Sequence, residues 1–324
     1  MQDDLFIDQA VGPVGRRGNV YIGTCSWSDA SLIKAKTFYP RGCNTAEKRL
    51  RYYASQFPIV EVDSSFYAMP TAQNSALWAE RTPRGFVFNV KAFRLFTGHQ
   101  TPLEVFPPDI QPLLAAHRAG RLWYYADVPQ EIRAELWRRF IEALAPLKEA
   151  GKLRAVHFQF APWATADGSW RAHVEHCVEQ MAGHLLAVEF RNASWFAPEH
   201  ATRADETLAW ERELGVVHVV VDEPQGVGNY AHGVWRVTHR QLAIVRLHGR
   251  NAETWAAKGL KASSERFNYE YSDDELAELA ANIDKLVEEA IELHVLLNVN
   301  FEDQGIRAAR RLHALLQRLG LVAP

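Results

Sequence analysis

Short runs of β-branched and aromatic residues alternate with stretches of helical periodicity from residue 20 to the end of the chain. The runs cover residues 20–25, 59–66, 86–93, 153–160, 185–191, 216–222, 242–248 and 294–301. Alternating βα units place such strands in a parallel sheet, and eight is the number that closes a barrel. The pattern predicts an α/β chain folded as one (β/α)8 TIM barrel over residues 20–324, after an N-terminal extension, 1–19. An open doubly wound sheet is the rival, disfavoured because no glycine-rich phosphate turn follows the first run.

The intervening stretches carry helix start and stop signals. Thr45 precedes AEKRLRYYASQF, and Thr71 precedes AQNSALWAERTP, which Pro83 ends. Ser272 and Glu275 make a capping-box pattern before LAELAANIDKLVEEAIEL, and the last helix, QGIRAARRLHALLQRLG, stops at Gly320. The connection between the third and fourth runs is long, with an irregular excursion at 102–112, and an insertion at 226–239 follows the sixth run. No linker, repeat or low-complexity segment divides the chain.

Several apolar runs hide polar pairs two residues apart near their C-terminal ends. These are Glu61 and Asp63, Asn89 and Lys91, His157 and Gln159, Glu189 and Arg191, Arg246 and His248, and Asn298 and Asn300. Residues two apart share a face of a strand. Turning those faces toward the helices would bury unpaired charge at high cost, whereas the lumen lets the pairs meet one another and water. The pairs therefore converge at the C-terminal mouth, where barrel enzymes place their sites. Charges in a lumen can also do no more than neutralise each other. Six pairs at equivalent strand ends favour a functional mouth.

Composition changes the picture mainly by exclusion. A chain of 324 residues buries a large core without disulfides or metal, and its three cysteines, Cys25, Cys43 and Cys177, are widely spaced. That usage, with an acidic N-terminus lacking a signal-type apolar run, leads to an expected cytoplasmic location. No stretch is apolar over the roughly 20 residues that a bilayer demands, so no membrane association is expected. The net charge of −3 gives no global cationic field to gather nucleic acid.

Glu61, Glu189 and Lys91 are the candidate catalytic groups. Two carboxylates across a barrel mouth can serve as acid and base, though Arg191 on the face of Glu189 lowers its pKa and favours a structural role there. A desolvated lysine forms Schiff bases, whereas a lysine beside acids stays charged and anchors an anion; Glu61 and Asp63 on the neighbouring run favour the anchor. Arg191, Arg246 and His248 suggest an anionic ligand, since arginine offers a two-point fork to phosphate or carboxylate. They equally serve to neutralise the acids below. Trp27, Phe66, Tyr67, Trp195 and Tyr269 follow strands and offer flat rings, with Trp27 and Trp195 the better walls because polar residues flank them; sealing the barrel end is their plainer role. Ser26, Asp63, Gln159, Asn298 and Asn300 complete the candidate ligand set. His157, His218, His248 and His294 are scattered over strands, but His218 has apolar neighbours and His294 opens its run at the barrel bottom. No short-spaced His pair of the helical zinc type and no GxSxG or GxxxxGK[ST] motif occurs, so no metal and no cofactor are expected.

The stretches IGTCSW (22–27), FYP (38–40), YYASQFPIVEVDSSFYAMP (52–70), WAERTPRGFVFNVKAFR (78–94), HFQFAP (157–162), VEFRNASW (188–195), VRLHG (245–249) and NYEYSDDELAE (268–278) resemble, in order, the YecE-like family, also called domain of unknown function 72. The resemblance implies a TIM barrel, similar in shape to endonuclease IV and xylose isomerase, and brings no settled activity. The chain departs from the family pattern at Cys25 and Ser26, where glycine usually precedes the tryptophan, and at Asp63, where asparagine is common. LLNVNFEDQG keeps Asn298 and Asn300 but lacks the histidine that usually follows, which counts against a base on the last strand.

The leading reading is an enzyme whose mouth binds a small anionic molecule, a phosphorylated sugar or nucleotide. A nucleic-acid-binding or repair protein is the alternative, and a non-catalytic ligand-binding module is the third reading. The fold cannot choose among them.

Overall fold

The computed structural model describes residues 19–196, 202–224, 233–255 and 265–322. Most of the N-terminal extension (1–18) and the first part of the expected insertion (226–232) lie outside those residues. Eight parallel strands close one barrel in the order β1 (Asn19–Thr24), β10 (Glu292–Leu297), β9 (Leu242–Leu247), β8 (Val217–Asp222), β7 (Leu186–Glu189), β6 (Leu153–Gln159), β3 (Val87–Lys91) and β2 (Ile59–Val62). The missing pair, β4 (Thr101–Pro102) and β5 (Leu122–Trp123), forms a two-residue antiparallel ribbon inside the long β3–β6 connection.

Alternation along each strand sorts the side chains as expected. Tyr21, Ile59, Val87, Ala155, Ala187, Val219, Ile244 and Leu296 pack together in the lower lumen. The opposite parity joins the helices in the larger core. Gly23 sits where β1 and β2 approach closely: a Cβ there would lie 2.2 Å from the Ile59 carbonyl oxygen. Only glycine permits this seam.

Capping signals were legible. Thr45 accepts from the Lys48 amide at α2 (Ala46–Ala54), and Thr71 makes a capping box with Asn74 at α4 (Ala72–Glu80). Ser272 and Glu275 make the expected box at α10 (Asp273–Val287). Helix α11 (Gln304–Arg318) ends before Gly320, whose φ of 72° continues the chain in the left-handed region that glycine adopts without strain. The excursion at 102–112 runs into α5 (Gln111–His117). The rest of that connection contains α6 (Gln130–Glu149), whose Leu136, Trp137, Phe140, Leu144 and Leu147 recur on one buried face.

Two expected strands end elsewhere. The run 59–66 is strand only to Val62, because Ser64–Tyr67 forms a helical turn, α3, held by Ser65 donating to the Val62 and Lys91 carbonyls at 2.6 Å each. The run 294–301 is shifted: β10 starts at Glu292 and ends at Leu297. Asn298 and Asn300 thus sit in the loop above the barrel.

Candidate functional site at the barrel mouth

The polar pairs converge above the apolar lower lumen and divide into two layers. The lower layer is a buried ionic plug. Arg246 donates to Glu61 Oε1 and to Glu189 Oε2 at 2.7 Å each, and all three side chains are fully buried. His157 lies between the same acids, Nδ1 3.1 Å from Glu61 Oε2 and Nε2 3.3 Å from Glu189 Oε2. Gln159 accepts from Arg246 at 3.2 Å. Burial alone would raise both carboxyl pKa values, but Arg246 and its histidine neighbours overcome it and hold both well below the ordinary range. Burial would lower the His157 pKa; the acids, Glu61 foremost, instead raise it. Two carboxylates therefore face a guanidinium and an imidazole disposed to carry charge, and the plug is close to neutral.

This arrangement recasts three sequence-based assignments. Glu61 and Glu189 do not flank an open space; they grip one arginine, and their depressed pKa values make them poor proton donors. Arg246 gives them its two shortest hydrogen bonds, at 2.7 Å each. His248 is not cationic, because burial above all holds its pKa down at about 3 despite Glu189 at 3.4 Å. Its Nδ1 accepts from Asn298 Nδ2 at 2.8 Å. His294 lies lower in the lumen, accepting from Asn89 at 3.0 Å and donating to Glu292 at 2.7 Å. His218 faces outward beside the buried Glu211 at 3.2 Å, so its surroundings are not purely apolar.

Above the plug, some groups keep contact with solvent. Lys91 Nζ lies 3.5 Å from Asp63 Oδ1 and 4.7 Å from the centre of the Phe66 ring. Arg191 reaches Glu189 at 3.1 Å and Glu223 at 2.9 Å, and its guanidinium stands 5.2 Å from the Trp255 ring. The Asp63 side chain, 22% exposed, is pushed up by burial and by Glu61 against the pull of Lys91 and Arg246. Glu223 is pushed up to about 7, burial outweighing Arg191. Asp29 in the neighbouring cavity is likewise pushed up by burial, so these three described acids are disposed to take up a proton at the mouth, and Glu223 was missed from sequence. It stands one position beyond β8, on the lumen parity of Val219 and Val221.

Beside Asp63 a cavity of about 280 Å³ opens over β1 and β10, lined by Cys25, Ser26, Asp29, Asp63, Tyr67, Asn298, Asn300 and Glu302. Ser26, Tyr67, Asn298 and Asn300 from the expected set thus meet at one place. Cys25, Glu61 and Asp63 offer donor atoms within 4.8 Å of one another, as a metal site would. Arg246 already faces all three, at 3.5 Å from the thiol, 2.7 Å from Glu61 and 3.6 Å from Asp63. A divalent ion there would have to displace a guanidinium that the plug requires.

Three of the expected rings lie elsewhere. Trp27 is buried edge-on against Trp78, 5.8 Å between centroids. Trp195 is fully buried, stacked on Phe190 at 3.8 Å, with its indole N–H donating to the Ala164 carbonyl. Tyr269 packs on Tyr271 and gives its hydroxyl to Glu275. Polar sequence neighbours suggested mouth walls for the tryptophans, but both rings follow the apolar core.

A closed α/β barrel with a polar C-terminal mouth is the architecture that hosts sites in barrel enzymes. The chain belongs to the family described as "Protein of unknown function DUF72", whose pattern matches residues 21–323. It is 32% identical over 283 residues to the UPF0759 protein YunF of Bacillus subtilis (strain 168), covering 87% of this chain and 89% of that protein. A DUF72 family structure from Enterococcus faecalis V583 superposes with a TM-score of 0.74 at 26% identity, covering 92% of this chain and 95% of that one. One from Thermotoga maritima MSB8 gives a TM-score of 0.71 at 25% identity, covering 92% and 99%. No described helix is long and apolar enough to cross a membrane.

Proposed function

We propose that the protein is an enzyme that binds a small phosphorylated molecule at the C-terminal mouth, with Lys91 and Arg191 holding the anion and Asp63 moving a proton. The observation that carries this reading is the Asp63–Lys91 pair: an acid with a raised pKa, partly open to solvent, 3.5 Å from an ammonium group and directly above a neutralised plug. Because Glu61, Glu189, Arg246 and His157 balance one another, they lend the mouth little net field. Lys91 and Arg191 then face Asp63 and Glu223, both of which burial disposes toward the uncharged form. A protonated mouth is cationic, and arginine gives phosphate a two-point contact. The roles first given to Glu61 and Glu189 pass to Asp63, while the two glutamates and Arg246 hold the floor.

The test is a thermal-shift screen of phosphorylated sugars and nucleotides, since a ligand of the native state raises the apparent Tm. Wild type should respond to a subset and Lys91→Met to none of it. Asp63→Asn should keep the shift yet lose turnover of the hit. Equal shifts in wild type and Lys91→Met would remove the anion site, and unchanged turnover in Asp63→Asn would remove its carboxyl from the chemistry.

A further inference from the structure

Five rings run in unbroken contact across the mouth on the β2–β3–β6 side. Tyr67 meets Phe66 at 5.1 Å, Phe66 meets His99 at 4.9 Å, His99 meets Trp163 at 5.8 Å and Trp163 meets Tyr124 at 6.5 Å. Every pair is edge-on, with interplanar angles from 65° to 86°, so each contact covers at most one face of one ring and no two of the five lie stacked in parallel. Tyr67, Trp163 and Tyr124 are 56%, 49% and 41% exposed, which is not how rings that seal a core are disposed. At the inner end Lys91 Nζ lies 4.7 Å and the Arg94 guanidinium 5.3 Å from the Phe66 ring centre. Arg94 has no ion pair with a described residue, and its buried Nε has no acceptor. Thr97 and His99 Nδ1 share a hydrogen bond of 2.9 Å that fixes the central ring. Burial first, then Lys91, Arg94 and Arg191, holds that ring neutral, with a pKa of about 3.

We propose that this ribbon is a subsite for a planar unsaturated ring carried by the anionic ligand, the ring stacking on Trp163 and its neighbours while its phosphate stays on Lys91 and Arg191, with Arg94 flanking the ribbon beside Phe66. This rests on the anionic reading above and narrows it from phosphorylated molecules in general to nucleotide-like ones. A bare sugar fits the ribbon poorly. Sugar hydroxyls call for carboxylate and amide acceptors, and Asp29, Asn298, Asn300 and Glu302 line the adjoining cavity over β1 and β10, which of the five rings only Tyr67 also lines.

Calorimetric titration of the full chain with adenosine 5′-monophosphate, uridine 5′-monophosphate and ribose 5-phosphate tests it. Wild type should bind at least one nucleotide about tenfold or more tighter than ribose 5-phosphate, the scale of one stacking contact. Trp163→Ala should bring that ratio close to one with ribose 5-phosphate affinity and Tm unchanged, and Trp163→Phe should restore most of it. A wild-type ratio near one, or a ratio that survives both Trp163→Ala and Tyr67→Ala, overturns the ring subsite. The anionic reading then still stands if ribose 5-phosphate binding disappears in Lys91→Met, and falls if that binding is indifferent to Lys91. Tight binding of a single-stranded oligonucleotide alone, falling steeply with salt, would also overturn the proposal and point to a polymer groove.

Discussion

Arg246 is the residue on which the floor of the site depends. Truncating one member of a buried ionic group leaves its partners charged and unsolvated, at a cost of about 3–5 kcal/mol. Arg246→Met should therefore lower unfolding stability by about that amount in urea titration, because Glu61 and Glu189 lose their shared donor. A loss below about 1 kcal/mol would mean that the plug is not held by this pair of contacts. Glu223 offers a second residue-level check. Its pKa rises from an ordinary 4.5 to about 7 on folding, so the folded state holds more protons than the unfolded chain across that window. Its contribution to stability is then present below about 4.5 and falls away as pH rises through about 7. Glu223→Gln should flatten that part of the stability profile; an unchanged slope would assign the titration to another group. Most of the polar pairs were legible because a strand's two-residue period carries their common face to the strand end; Asn298 and Asn300, beyond β10, owe their place to the loop instead. Which pairs would be spent on one another was not legible, since that depends on Arg246 reaching two strands at once.

At the scale of elements, the seam between β1 and β2 is set by Gly23. Alanine there would drive a Cβ into the Ile59 backbone carbonyl, which cannot swing away as a side chain would. Gly23→Ala should destabilise the barrel by about 1–3 kcal/mol, the usual cost of overpacking, and a neutral result would mean that the seam is loose. All eight barrel strands could be located from their β-rich runs, and α2, α4, α10 and α11 from their caps. Strand ends were less legible. The hydrophobic run through Phe66 continues past Val62 because α3 buries Ser65 and Phe66 just as a strand would, so composition alone cannot mark the change of backbone. Part of the ribbon had a positional signal: Tyr67, His99 and Trp163 follow β2, β3 and β6, whereas Tyr124 comes directly after β5. Trp27 and Trp195 had the same signal and turned inward, because tertiary packing decides which strand-end ring is buried.

The whole molecule joins unlike sectors at one mouth: carboxylates and amides over β1 and β10, rings with Lys91 and Arg94 over β2, β3 and β6 beside Asp63, and Arg191 with Glu223 over β7 and β8. Its net charge of −3 conceals that asymmetry, so a local cationic site must be sought in the barrel and not in composition. Sulfate, which stays doubly charged across neutral pH, is a suitable probe. Its affinity should fall as pH rises through about 7, where Glu223 ionises next to Arg191. The most direct measurement is the anomalous scattering of selenate soaked into crystals of the protein. A peak within hydrogen-bonding distance of Lys91 Nζ, absent in Lys91→Met crystals, is the predicted result. Selenate bound elsewhere while the mouth stays empty at saturating concentration would contradict the account.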